Sequence, residues 1–219
     1  MRRAFDILSA AIGLVLLAPL FVLIALAIKI EDGGPVFYSQ LRVGKDFRKF
    51  RFLKFRSMIP GADCLAPLTA RADPRRTRIG RFLRKCKLDE LPQLINVLKG
   101  DMQLVGSRPE LEPYVERFRL QYALLLQDRP GITDPGTLTY RHEEQLFEAD
   151  LVEEQYVSKI LPHKLELSLE HSRQRSFHSD LSILFRTIFG IIGFPRDSQY
   201  LQGAPVSHTH APIKDLNEL

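Results

Sequence analysis

Asp89 and Glu90 stand side by side in "CKLDELPQL", directly after the cationic run "DPRRTRIGRFLRKCK". Adjacent carboxylates at such a place admit two readings. An Asp just before a helix is a common N-cap, and acidic residues are favoured in a first helical turn by the helix dipole, which would make the pair structural. The surroundings favour chemistry. Arg75, Arg76, Arg78, Arg81, Arg84, Lys85 and Lys87 flank the pair, and Arg108 follows it. A carboxylate among cations stays ionised at neutral pH and can act as a nucleophile. If it attacks phosphorus it must approach another anion. It then needs Arg or Lys clamps and a divalent metal to cancel the repulsion and stabilise the transition state. The basic run and the dyad are two halves of that one requirement. Part of the run also suits a solvated face or a patch that binds anionic lipid headgroups.

The elements that must position these residues are legible in outline. "ELPQLINVLKG" predicts a helix with Pro92 in its first turn and Gly100 at its carboxyl end, so the dyad sits at or just before its amino terminus. Leu91, Leu94, Ile95 and Leu98 share one face at helical spacing and are the expected buried side. "RIGRFLRKC" predicts a short helix. "VFYSQLRV" and "KFRFLKFR" predict a hairpin turning at Gly44 to Asp46. "PELEPYVERFRLQYALLLQ" reads as one amphipathic helix stopped by "DRPG", and residues 143 to 175 as charged helix with a break near Pro162. "DLSILFRTIFGIIGF" is too short to span a bilayer and suits a core or interfacial helix.

The amino terminus bounds the setting. "ILSAAIGLVLLAPLFVLIALAI" carries no charge and is long enough to cross a bilayer, and it has no cleavage site of a signal peptide. Pro19 near its middle removes a helical hydrogen bond. Arg2 and Arg3 precede the run, and Lys29 and a string of cations from Arg42 to Arg56 follow it. Basic residues near membrane ends prefer the cytoplasm, so a crossing helix would misplace one cluster. A helix that enters and returns would misplace neither. A spanning anchor with a tolerated proline is equally open on these grounds.

With 219 residues, 45% of them hydrophobic, the chain can bury a core, and the +5 charge points to an anionic partner: nucleic acid, a membrane surface or a phosphorylated substrate. Aromatics alternate with basics in "DFRKFRFLKFR" as stacking sites require, but a half-buried strand gives the same alternation, and no nucleic acid is expected. Cys64 and Cys86 lack metal-site spacing, and His142, His163, His171 and His178 read as surface residues.

"GPVFYSQLRVGKDFRKFRFLKFRSM", "DPRRTRIGRFLRKCKLDELPQLINVLKGDMQLVGSRPE" and "RPGITDPGTLTYR" occur in that order. With the amino-terminal helix they resemble the bacterial sugar transferase family, the small monotopic polyprenyl-phosphate phosphoglycosyl transferases, from about residue 3 to 193. The chain resembles the minimal form, with no added multi-span membrane domain and no fused second enzyme. The resemblance implies an α+β, mainly helical fold. Its expected parts are a re-entrant membrane helix over residues 1–30 turning at Pro19, a catalytic domain over 31–194 with a small hairpin and amphipathic interfacial helices, and a polar tail over 195–219. It implies transfer of a phosphosugar from a nucleotide diphosphate sugar, usually a uridine one, to a polyprenol phosphate such as undecaprenyl phosphate, at the cytoplasmic face of the bacterial inner membrane. Such a step begins the making of a surface glycan or glycoconjugate.

By the same resemblance Asp89 is the nucleophile, forming a covalent phosphosugar intermediate with release of UMP. Glu90 takes a proton from the acceptor or helps hold the required magnesium, for which Asp89 and Glu90 are the candidate ligands. Lys54 and Arg56 match the family's "KFR" element, Arg84 the basic residue five before the Asp, and Arg108 the Arg of its Pro-Arg-Pro motif. Arg141 matches a later basic position. These five are the candidate substrate-binding residues. Ser107 and Ala18 depart from the family pattern, as does "ITDPGTLTYR". Two rivals stand beside this reading: a membrane glycosyltransferase that releases UDP, and a non-enzymatic adaptor for anionic lipid, which would have no use for the dyad.

Overall fold

The computed structural model describes residues 2–62, 68, 73–147 and 151–191; the expected tail and Cys64 lie outside the described residues. Helix α1 (Arg2–Asp32) carries Pro19 inside it and ends at Asp32 rather than residue 30. Contacts hold it to the rest of the chain at both ends and beside Pro19, where the Phe21 ring meets Phe55 at 4.9 Å between centres. At the amino end Arg3 donates to the Val97 and Met102 carbonyls at 2.6 and 3.0 Å, and Ala10 is fully buried. At the other end Ile24 and Ile28 pack with Phe55 and Leu83, and Asp32 pairs with Arg56. Between and opposite these points Leu8, Val15, Leu16, Leu23 and Ile30 form an apolar stripe that is well over half exposed. Among the described residues α1 is the one helix long and apolar enough to cross a membrane.

Strands β1 (Phe37–Val43) and β2 (Lys49–Phe55) form the expected antiparallel hairpin, with Phe37 opposite Phe55 and Leu41 opposite Arg51. Phe52 and Phe55 lie on opposite faces of β2 and enter two different core clusters, where they are 2% and 1% exposed, so these rings serve the core and offer no stacking platform. Helix α2 (Arg78–Lys85) is capped by the Thr77 hydroxyl, which accepts from the Gly80 amide at 2.9 Å. Helix α3 (Gln93–Lys99) begins after Pro92 and ends at Gly100, whose φ of 92° makes the left-handed cap that glycine adopts without strain.

The buried face of α3 is not the expected one. Gln93, Asn96 and Val97 are buried, and Leu98 is exposed. The Asn96 amide explains the inversion: it accepts from the Leu53 amide at 3.0 Å and donates to the Arg51 carbonyl at 2.7 Å, filling places a neighbouring strand would fill. Leu94 packs instead beside Gly13 of α1. Leu91 and Leu94 are half-buried against the clusters that α1 shares, and Leu98 is the member of the expected face left exposed.

Strands β3 (Gln103–Val105) and β4 (Gly131–Thr133) pair in parallel, a feature too short to show a period in the sequence. The expected single helix after Glu110 is two, α4 (Glu112–Arg117) and α5 (Arg119–Leu125). Phe118, at φ −118° and ψ 38°, leaves helical geometry between them, and Tyr114, Tyr122 and Leu126 all reach one core. Helix α6 (Pro135–Thr139) is capped by Asp134. Helix α7 (Val152–Gln155) passes through a wide π turn at Tyr156–Ile160 into α8 (Leu161–Arg173). The chain stays helical through Pro162, and the irregularity expected near it is this wide turn just before it. Helix α9 (Phe177–Ile191) buries Ile183 against the β3–β4 pair and leaves Phe185, Ile188 and Phe189 about half exposed, an interfacial pattern. The described residues are mainly helical, with two small sheets among them.

Candidate active site

Lys87 adopts left-handed geometry (φ 57°, ψ 20°), uncommon for a residue with a side chain. The bend starts the 3-10 turn Leu88–Glu90 and aims both carboxylates at the hairpin instead of along α3. Strand β2 brings Lys54 and Arg56, α2 brings Arg84, the loop after β3 brings Arg108, and the turn after α6 brings Arg141. These five and the dyad all line one cavity of about 380 Å³.

Within it the two carboxylates have opposite surroundings. Glu90 receives both terminal nitrogens of Arg108, one at 3.0 Å and the other closer, and Lys54 at 3.2 Å. Burial works against its charge, but Arg108 and Lys54 outweigh burial and hold its carboxyl well below the usual range. Asp89 is 4% exposed, and its Oδ1 has no hydrogen-bond partner. Burial pushes its carboxyl up; Lys54 opposes this and the Glu90 charge adds to it. The nearby cations thus favour the Asp89 charge less than the sequence suggests. They serve Glu90 first, because its oxygens lie within their reach. What remains is a desolvated, more basic Asp89 carboxylate beside a fully paired Glu90, a division of environments that assigns different roles to two like groups.

The expected cations do not all point at the dyad. The Arg56 guanidinium binds Asp32 of α1 and the Pro35 carbonyl, at 2.6 Å each for NH1 and Nε, so it locks the hairpin to α1. Arg84 lies 4.0 Å from Glu144, which Arg76 also holds at 2.6 Å. Arg108 reaches Glu90 although Ser107 precedes it in place of proline; the Ser107 carbonyl accepts from the Gly131 amide at 2.9 Å. Arg141 faces the cavity and forms no ion pair with a carboxylate among the described residues. His163 and His171 are half-buried, bonded to Tyr140 at 2.7 Å and Asp180 at 3.1 Å, not the surface residues expected.

Two members of the site escape sequence reading. Phe52 underlies three cations, with Lys54, Arg42 and Arg108 at 5.3, 5.8 and 5.9 Å from its ring centre. Glu110 is buried in the cavity wall, accepting from Arg42 at 2.7 Å and from the Tyr156 hydroxyl at 2.6 Å. Its place two residues after Arg108 is the signal that could have found it.

For a divalent cation, the orphaned Asp89 Oδ1 is a suitable donor, while both Glu90 oxygens are engaged. No group of three or more acidic, His or Cys side chains fit to hold a metal occurs among the described residues. That set fits magnesium held by one carboxylate and chiefly by substrate phosphates, the manner in which this ion usually binds.

Residues 1–193 match the model of a family described as bacterial sugar transferase. The chain is 39% identical over 203 residues to undecaprenyl-phosphate glucose phosphotransferase of Komagataeibacter xylinus, covering 85% of this chain but 35% of that one. It is 34% identical to exopolysaccharide production protein ExoY of Rhizobium meliloti (strain 1021), covering 85% of this chain and 83% of the relative. It is 36% identical to UDP-N-acetylgalactosamine-undecaprenyl-phosphate N-acetylgalactosaminephosphotransferase of Aeromonas hydrophila, covering 87% of this chain and 43% of the relative. The chain thus spans well under half the length of two of these relatives and most of the third.

Proposed function

The chain belongs to the bacterial sugar transferase family, and from that premise we propose that it moves a phosphosugar from a nucleoside diphosphate sugar, with uridine as the base, to a polyprenol phosphate. The observation that carries the reading is the buried Asp89 carboxylate, its Oδ1 without a hydrogen-bond partner, inside a cation-lined cavity. The relatives' names specify glucose in one case and N-acetylgalactosamine in another, so the sugar is left open.

In the proposed sequence, an Asp89 oxygen attacks the phosphorus that carries the sugar. The bond from that phosphorus to the bridging oxygen breaks, and the nucleoside monophosphate leaves. A phosphate oxygen of the polyprenol phosphate then attacks the same phosphorus and displaces Asp89, giving a polyprenyl diphosphate sugar and restoring the carboxylate. Desolvation raises Asp89 basicity, which favours it as nucleophile. Glu90, held low by Arg108, is a poor proton acceptor. Its role here is to fix Arg108 and Lys54 beside the reacting phosphate, where their charge offsets that of the transition state. Magnesium, when bound, would neutralise diphosphate oxygens, with Asp89 as its protein ligand.

We place the site at the cytoplasmic headgroup level of the bacterial inner membrane, with α1 entering the bilayer and returning. The support is that both ends of α1 are bonded to one domain while its outer stripe stays apolar and exposed. A helix crossing about 30 Å of hydrocarbon would separate those ends. The dyad argues against the lipid adaptor. The test of the covalent step is mass spectrometry of protein incubated with donor alone. A sugar-phosphate adduct on the peptide containing Asp89, absent in Asp89→Asn, is expected; an adduct on another residue overturns the assignment.

A further inference from the structure

A second cavity, of about 150 Å³, lies against the first and shares Lys87, Glu90, Arg108, Arg141 and Glu143 with it. Its remaining walls are mostly apolar: Leu91 and Leu94 beside and on α3, Ile132 on β4 and Leu138 on α6. Thr187 of α9 completes it, on the helix whose Phe185, Ile188 and Phe189 are half exposed. The cations that line the two cavities differ in how they are neutralised. Lys54 and Arg108 share Glu90, and Arg56 has Asp32. Lys87 and Arg141 form no ion pair with a carboxylate among the described residues. Both act on His142, whose pKa is lowered by burial first and then by these two charges. Arg141 sits directly over the backbone of Gly190 on α9. A methyl group added there would overlap its guanidinium, so only glycine leaves it this position.

Resting on the function proposed above, we infer that this second cavity is the acceptor subsite. It takes the phosphate of the polyprenol phosphate between Arg141 and Lys87, with the first isoprene units against Leu91, Leu94, Ile132 and Leu138. The chemistry separates the two substrates. The donor is polar throughout and suits the larger cavity. The acceptor is the substrate whose phosphate is joined to hydrocarbon, and this cavity places apolar walls beside unneutralised cations. The shared wall at Glu90 and Arg108 lets the acceptor phosphate reach the phosphorus carried on Asp89 once the nucleoside monophosphate has left, entering opposite the Asp89 oxygen it displaces. Gly190 is a positioning residue that lets α9, an interfacial helix, hold Arg141 in place.

The test uses the full chain in nanodiscs and two variants. Gly190→Ala displaces only the flexible end of Arg141, and Leu138→Trp fills the apolar part of the cavity. Donor alone is added first, and the burst of nucleoside monophosphate is measured; undecaprenyl phosphate is then titrated. Each variant should retain the donor-only burst while its KM for undecaprenyl phosphate rises about tenfold, the loss expected for one charge-assisted phosphate contact or a blocked subsite. An unchanged acceptor KM in both variants overturns the subsite. So does a rise in donor KM instead, which would put the donor there. Absence of any donor-only burst in the unaltered protein would count against the covalent reading itself, which separates the two failures.

Discussion

Replacing each member of the dyad by its amide should abolish turnover in both cases but move stability in opposite directions. Glu90 holds Arg108 through two hydrogen bonds and Lys54 through a third, with its side chain 14% exposed and theirs 22%. Removing one partner of a buried pair costs about 3–5 kcal/mol, because the other charge stays uncompensated. An amide keeps one acceptor, which reduces the loss in Glu90→Gln to about 2–3 kcal/mol. For a chain of this length each kcal/mol shifts Tm by about 2–4 °C, so a fall of about 4–12 °C is expected. Asp89 is the reverse case. Its folded pKa is raised, so the folded state holds the proton more tightly than the unfolded one, and stability falls as pH rises through that value. At neutral pH the ionised carboxylate therefore costs stability, and Asp89→Asn should raise Tm. Glu90, with its pKa lowered, contributes stability that is present above its unfolded value and lost as pH falls toward the folded one. Thermal unfolding of the three proteins in one detergent at pH 7.5 is the assay. A drop in Asp89→Asn as large as that in Glu90→Gln would refute the division of environments on which the mechanism rests.

Three further outcomes follow from the geometry. The acid limb of the donor half-reaction should lie above the ordinary aspartate range of about 3.9, because the attacking group must be ionised and burial raises its pKa; a stopped-flow pH profile with its limb at the ordinary value would count against Asp89. Asn96→Ala removes the partners of the Leu53 amide and Arg51 carbonyl and should cost about 2–3 kcal/mol by denaturant unfolding; a cost near zero would mean water replaces the amide. Phe52→Leu takes the ring from beneath Lys54, Arg42 and Arg108, so donor KM should rise about fivefold in steady-state kinetics, with a fall in Tm from the smaller core side chain.

The parts legible in the sequence are those set by local rules. Gly100 and Pro92 delimit α3, the alternation of "KFRFLKFR" makes β2, and the seven expected site residues converge on one cavity because they flank elements that pack together. What was not legible depends on partners far away in the chain or on the solvent. The apolar side of α3 reads as a core face, yet the core side carries Gln93 and Asn96, since Asn96 bonds a strand some forty residues earlier and the leucines turn toward α1. Arg56 reads as a substrate cation, and only the fold shows Asp32 against it. Cations around a dyad can be counted in a sequence, but which carboxylate they neutralise depends on the left-handed bend at Lys87. That bend determines which of the two carboxylates is available to react.

The most direct test of phosphosugar transfer is the identity of the released nucleotide. Protein held in nanodiscs is given magnesium, undecaprenyl phosphate and a panel of uridine diphosphate sugars, beside Asp89→Asn. The account predicts UMP at steady state only when acceptor is present, from one sugar donor above the rest, and none from the variant. Release of UDP would mean that the bond to the sugar is cut instead, and would contradict attack by Asp89 on phosphorus.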